Sequence, residues 1–303
     1  MLEVDRRWIH GRAGPAAATS VAGSREGVTQ RPVAWTSPLL YERLTWPEVR
    51  RAAAEDRVCL IPAGTLEDHG PHLPIDCDIR IASEICRRAA DAVPDDIVLL
   101  PPITHGFTPH HMEFPGPITI GWETFTKYCT DIGDSLARHG FKRILYLNGH
   151  GSNIPLVEMA ARLVSLSHPD VLAAAVFYLT SDEGKRIIEE TRDSAVGGMG
   201  HACELETSIY LAIDEGAVAM DKAVDENSYP EGPHAWMDWS DGPLKIMPWW
   251  NALSRTGVHG DATKASADKG HILLDAAVKE CIEFVRELRE KPLPVRREPR
   301  ETP

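Results

Sequence analysis

The residues that can do chemistry crowd into GTLEDHGPHLPIDCD, Gly64 to Asp78. This stretch holds two histidines, four carboxylates and a cysteine, broken by two glycines and two prolines. Glu67 and His69 are two apart, so an extended backbone aims both the same way. Asp78 follows after a proline-constrained turn. Taken alone, such an acid–x–histidine is more often a pair of exposed loop residues, and Asp78 a helix cap. Two further motifs change the balance. NGHGSN (Asn148 to Asn153) sets His150 between glycines that let a backbone approach a ligand closely. The simpler alternative there is a turn with a surface histidine and Asn153 capping the next helix. HACELETS (His201 to Ser208) carries His201 and Glu204 three apart, sharing a face if helical, with Glu206 on another face. Together Glu67, His69, Asp78, His150 and one of Glu204 or Glu206 form a carboxylate–imidazole set suited to Zn²⁺, Mn²⁺ or Fe²⁺. Three carboxylates exceed what one catalytic zinc usually takes. A two-metal centre bridged by Asp78 fits better and suits hydrolysis at a carbonyl.

The elements that must position these residues alternate. Short apolar runs at Val58–Gly64, Ile97–Ile103, Arg143–His150 and Asp170–Leu179 read as strands. Helical periodicity covers Ile79–Val93, Glu123–Gly140, the run after NGHGSN, the run after Asp182, Cys203–Gly216 and roughly Thr263–Glu290. Near-continuously apolar strands between helices predict an α/β chain: three layers, α/β/α, with a mostly parallel central sheet in a single domain. In such sheets ligands bind beyond the carboxyl ends of the strands. Two strands run into chemistry there, one into the opening stretch and one into His150.

Composition limits the alternatives. The 303 residues are 43% hydrophobic and 25% charged, with a formal charge of −13 that argues against a nucleic-acid surface. No apolar run reaches the length of a membrane span. Six cysteines without a CxxC pair read as reduced thiols of a cytoplasmic protein. Residues 1–35 lack periodicity and read as a disordered or arm-like extension; residues 291–303 read as a flexible tail. The phosphate-loop pattern and the G-x-S-x-G nucleophile elbow are missing. A histidine-rich loop, His105 to His111, and a tryptophan-rich stretch, His234 to Trp250, read first as structural, the latter as core or interface, with a pocket wall as the sharper alternative.

The three motifs, in order, with FPGPITI (Phe114 to Ile120), similar to the family's short phenylalanine–proline–glycine strand, between the first two, resemble the creatininase (creatinine amidohydrolase) family over about residues 44–290. The resemblance implies a three-layer α/β/α fold in residues 36–290, commonly a homohexamer, with one or two divalent ions per subunit. It implies Glu67, His69, Asp78, His150 and Glu206 as metal ligands, Asp78 bridging, and His201 as the catalytic histidine. Glu204, Ser152, His111 and His72 become partners of the ligands or substrate contacts; Asp68, Asp76 and Cys77 are pocket-rim or structural. The chain departs from creatininase proper: Gly151 and Ser152 replace an aromatic and a metal-binding glutamate, and GGMG before His201 replaces a substrate-contacting Trp-Asp pair. The missing aromatics remove a wall for a flat ring and tilt the expectation towards a cyclitol-like ligand.

The expected function is therefore a metal-dependent hydrolase in which activated water attacks a carbonyl of a small cyclic amide, a formamide or a sugar-like ketone. A peptide bond is a further candidate within that chemistry. The alternatives from other classes are a metal-dependent isomerase or lyase of a polyol-type substrate, and a non-catalytic metal-binding protein.

Overall fold

A computed structural model describes residues 39–230, 232–239 and 242–297. The expected N-terminal arm, residues 1–35, lies outside them, as does the end of the expected tail. Residues 292–297 carry no helix or strand.

Four strands form a fully parallel sheet: β1 (Val58–Ala63), β2 (Ile97–Leu99), β3 (Arg143–Asn148) and β4 (Leu172–Phe177), in the order β2-β1-β3-β4. Because side chains alternate across a strand, each central strand feeds two cores. Val58, Leu60, Leu145 and Leu147 pack with α2 (Cys77–Ala92), α6 (Glu204–Asp214) and α7 (Ala267–Glu290). Cys59, Ile61, Ile144 and Tyr146 pack with α1 (Trp46–Ala54), α3 (Trp122–Arg138) and α4 (Ile154–Ser167). A strand buried on both faces has no polar side, which explains the continuous apolar runs. Truncating Leu60, fully buried, costs about 3 kcal/mol. The three expected layers are present. α5 (Asp182–Thr191) follows the edge strand β4, with the Ser181 hydroxyl accepting from Gly184 N as its N-cap.

The register brings the site together. Ala63 pairs with Asn148, so β1 and β3 end side by side and release their loops at one edge. Gly64 and Gly149, the next residues, both abut the start of α2. A Cβ on Gly64 would lie 2.7 Å from Ile79 N, and one on Gly149 2.6 Å from Asp78 O. Both positions need glycine so that the first turn of α2, which carries Asp78, can seat against the two strand ends.

Three local expectations change. The segment before α6 is not helical: Met199–His201 forms β5 in a small antiparallel sheet with β6 (Asp225–Glu226) and β7 (His259–Asp261), in the order β5-β7-β6. His201 and Glu204 therefore do not share a helix face. FPGPITI is a loop rather than a strand: it forms one isolated bridge, Leu66 to Ile118, and Ile120 N donates to Gly106 O at 3.0 Å. The last helix begins at Ala267, where Ser266 caps it by accepting from Lys269 N, and a short 3-10 turn, Ala262–Lys264, precedes it.

Candidate active site

Asp78 occupies the middle of the site. Its Oδ1 lies 3.2 Å from His69 Nε2 and its Oδ2 3.1 Å from His150 Nδ1. Each histidine also faces a glutamate: Glu206 Oε1 is 3.9 Å from His69 Nε2, and Glu67 Oε2 is 3.2 Å from His150 Nδ1. Two donor sets result, His69–Asp78–Glu206 and Glu67–Asp78–His150, all buried and sharing one carboxylate. Neither His69 Nε2 nor Asp78 Oδ2 meets hydrogen-bond geometry despite these short approaches. Buried polar atoms are ordinarily paired. Lone pairs that converge on a common point instead of on each other are the arrangement of metal ligands, and this donor set suits a pair of divalent ions.

The surroundings orient these groups. His150 donates through Nε2 to Phe107 O at 3.1 Å, since a carbonyl can only accept, and this leaves Nδ1 facing the carboxylates. The Thr108 hydroxyl donates to Glu67 Oε2 at 2.6 Å. Glu206 sits in the first turn of α6, and its Oε2 accepts from Ala202 N at 2.6 Å. Ala202 takes a left-handed φ of 50°, costing an alanine about 1–2 kcal/mol. That kink turns the chain from His201 on β5 into α6 and lets both residues face the site.

Electrostatics agrees with cation capture. Burial opposes ionisation of Glu67, yet His111, His150 and His201 hold its carboxyl well below the usual range. Burial disfavours charge on His150, but Glu67 and Asp78 push it up to about 10. His69 is likewise raised by Cys77 and Asp78 against its burial. Without cations the site keeps protons on imidazoles; divalent ions would displace them. His201 goes the other way, down to about 4, through burial and then the neighbouring His69 and His111. It is neutral at neutral pH.

The remaining predicted residues separate. His72 is buried and pairs with Thr207 Oγ1 at 2.8 Å. Glu204 turns away from the site: it accepts from the backbone N–H groups of Asp193 and Ser194 at 2.9 and 2.8 Å and pairs with Lys269 Nζ at 2.5 Å. Ser152 lines the cavity, 3.3 Å from His110 Nε2. Asn153 does not cap α4; its Oδ1 accepts from Phe107 N at 3.0 Å. His111 Nδ1 lies 2.6 Å from Asp68 Oδ1, and its ring stacks on Trp250 with centroids 4.7 Å apart.

Sequence reasoning held the tryptophan-rich stretch as a pocket wall only as the sharper alternative, and missed Phe177. Phe177, Trp239 and Trp250 line a cavity of about 290 Å³ that reaches Glu67, Asp78 and Glu206. The expected loss of an aromatic wall is thus corrected: the rings come from the end of β4 and from the tryptophan-rich stretch. The clue was that stretch, but nothing local tells a pocket tryptophan from a core one.

A family model for creatininase, described as creatinine amidohydrolase, matches residues 42–285. The chain belongs to the creatininase family. A mycofactocin precursor peptide peptidase from Mycobacterium ulcerans is 29% identical over 250 residues, covering 78% of this chain and 84% of that protein. The creatinine amidohydrolase of Pseudomonas putida is 27% identical over 258 residues, 80% and 95% of the two chains. A 3-dehydro-scyllo-inosose hydrolase from Thermotoga maritima is 24% identical over 267 residues, 83% and 84%. A solved manganese form of creatininase covers 84% of this chain and all of its own at a TM-score of 0.70 and 26% identity. A zinc–zinc form of a creatininase variant does so at 0.71 and 25%. This creatininase-family hydrolase shares the parallel-sheet fold of those enzymes, and its His, Glu and Asp clusters are candidate sites for the divalent metals they carry. No helix among the described residues is long and apolar enough to cross a membrane.

Proposed function

We propose that the protein is a two-metal hydrolase of an amide C–N bond in a small carbonyl compound, with Glu67, Asp78 and His150 holding one ion and His69, Asp78 and Glu206 the other. The observation that carries this reading is the two-sided Asp78 carboxylate, each oxygen directed at a different histidine. Bound divalent ions supply a water of lowered pKa and polarise a carbonyl. The chain does the rest. Asp78 sets the spacing of the two donor sets. Thr108 fixes the Glu67 carboxylate. His201 donates through Nε2 to Asp68 O at 2.8 Å, so Nδ1 carries the lone pair. This neutral imidazole accepts a proton from the attacking water and delivers it to the leaving nitrogen. The donor residues themselves are buried, which strengthens each of these interactions.

The rings of Phe177, Trp239 and Trp250 in the lining can receive the flat face of an amide, which supports an amide over a cyclitol-like ketone. The test uses chelator-stripped protein reloaded with Mn²⁺ or Zn²⁺ and offered lactams, formamides, short peptides and cyclitol ketones. Two ions per chain and products heavier than substrate by one water support the reading. A product of unchanged mass means isomerase chemistry, and full metal retention by Asp78→Ala refutes the site.

A further inference from the structure

The outer part of the same cavity carries charge that the catalytic reading leaves unused. Three acidic side chains line its inner end, facing the ions proposed above. Away from them the lining holds Lys185 on α5, Lys245 and Asp238. Asp238 is neutralised where it stands: Arg192 Nη1 lies 2.7 Å from its Oδ2, and Met199 N donates to its Oδ1 at 2.9 Å. The Lys185 ammonium makes no hydrogen bond or ion pair among the described residues. The exposed Lys185 ammonium is thus uncompensated among the described residues, in a chain whose net charge is −13. Phe177, Trp239 and Trp250 line the same cavity, Trp250 packing on His111 and His201 with centroids 4.7 and 4.9 Å apart. The cavity thus joins buried carboxylates, aromatic rings and two exposed lysines.

We propose that the substrate is an amide bearing a free carboxylate, which Lys185 and Lys245 receive while its apolar part lies against Phe177, Trp239 and Trp250. This rests on the hydrolase reading for its chemistry, but the recognition step stands by itself. Two ammonium groups on separate segments give point-charge attraction without the planar fork of an arginine, so they draw an anion towards the cavity and leave its orientation to the rings. The same chemistry exists in an N-acyl amino acid and in the C-terminal residue of a peptide.

Two matched pairs test it on the Mn²⁺-loaded full chain: N-benzoylglycine against N-benzoylglycinamide, and a tripeptide with a free against an amidated C-terminus. Calorimetric binding is measured beside turnover. The free acid of at least one pair should bind about fivefold or more tightly than its amide, the scale of a partly exposed ion pair. Lys185→Gln should bring that ratio towards one and Lys185→Arg should keep it; a Lys185→Gln, Lys245→Gln double variant should abolish it. The pair showing the larger ratio identifies the source. Equal binding of acid and amide in both pairs overturns the inference, as does a ratio unchanged in the double variant, since the carboxylate is then read by the metal centre. Preferential binding of the acid without turnover of any compound overturns the hydrolase reading and leaves the carboxylate recognition standing.

Discussion

The imidazole of His201 and the main-chain carbonyl of Asp68 are 2.8 Å apart. This contact links β5 to the loop after β1. It fixes which ring nitrogen carries the proton, because a carbonyl accepts and never donates. A residue whose tautomer is set by the backbone can carry a proton in one fixed orientation, the role proposed for His201. His201→Gln should lower kcat by about 10²–10⁴-fold while leaving metal content intact. Elemental analysis beside steady-state kinetics checks this. A variant that lost its metal would make His201 a ligand instead.

Asp78 and Glu206 should separate by metal count. Asp78→Ala removes the shared carboxylate and should leave the protein without tightly bound ions. Glu206→Ala touches only the His69 set and should retain one ion per chain. Equal losses in the two variants would contradict the bridging arrangement.

Thr108 acts through Glu67, to which it donates at 2.6 Å. Thr108→Val keeps the shape and deletes the donor. Metal affinity should fall about tenfold or more, read by competition with a chelator, with little change in far-UV dichroism.

Glu204 is a stability residue that looks like a site residue in the sequence. Burial opposes its charge, but Lys269 and the N–H groups of Ser194 and Asp193 hold its carboxyl below the ordinary value. A folded pKa below the unfolded one stabilises the fold above about pH 4.3, and that stability is lost as pH falls through the folded value. Glu204→Ala should cost about 1–3 kcal/mol near neutral pH, since the N–H groups of Asp193 and Ser194 lose their acceptor while Lys269 keeps Asp193. Glu204→Gln should flatten the acid limb of the stability curve. Denaturant titrations from pH 7 to pH 3 decide it, and an unchanged acid limb would falsify the assignment.

Subunit assembly is open to direct measurement. Met159, Leu163 and Leu166 are 47%, 38% and 77% exposed along one side of α4. A contiguous apolar stripe of this kind is a candidate contact between copies. With the family resemblance it leads us to expect a particle of six times the 33.4 kDa chain mass. Light scattering that gave a monomer at micromolar concentration would remove the expectation.

Much of this protein was legible before any fold was known. Alternation of apolar strands and periodic helices determined the three layers, because a strand covered on both faces cannot hide its composition. The density of ligand-type residues in Gly64–Asp78 pointed to Glu67, His69 and Asp78, and the glycine-flanked NGHGSN turn marked where chain and ligand approach closely. Tertiary structure decided what spacing cannot. Whether Glu204 or Glu206 faces the site depends on the left-handed kink at Ala202, which no periodicity encodes. The pairing of Ala63 with Asn148 brings His150 beside Asp78, seventy-two residues away in the chain. Trp250 reaches the site only through the return of a loop over it, and Lys185 only because α5 starts beside the end of β4. Local sequence fixes which side chains are available and how each segment bends. Which of them meet is set by long-range packing, whose energy is shared among many contacts and written in no single motif.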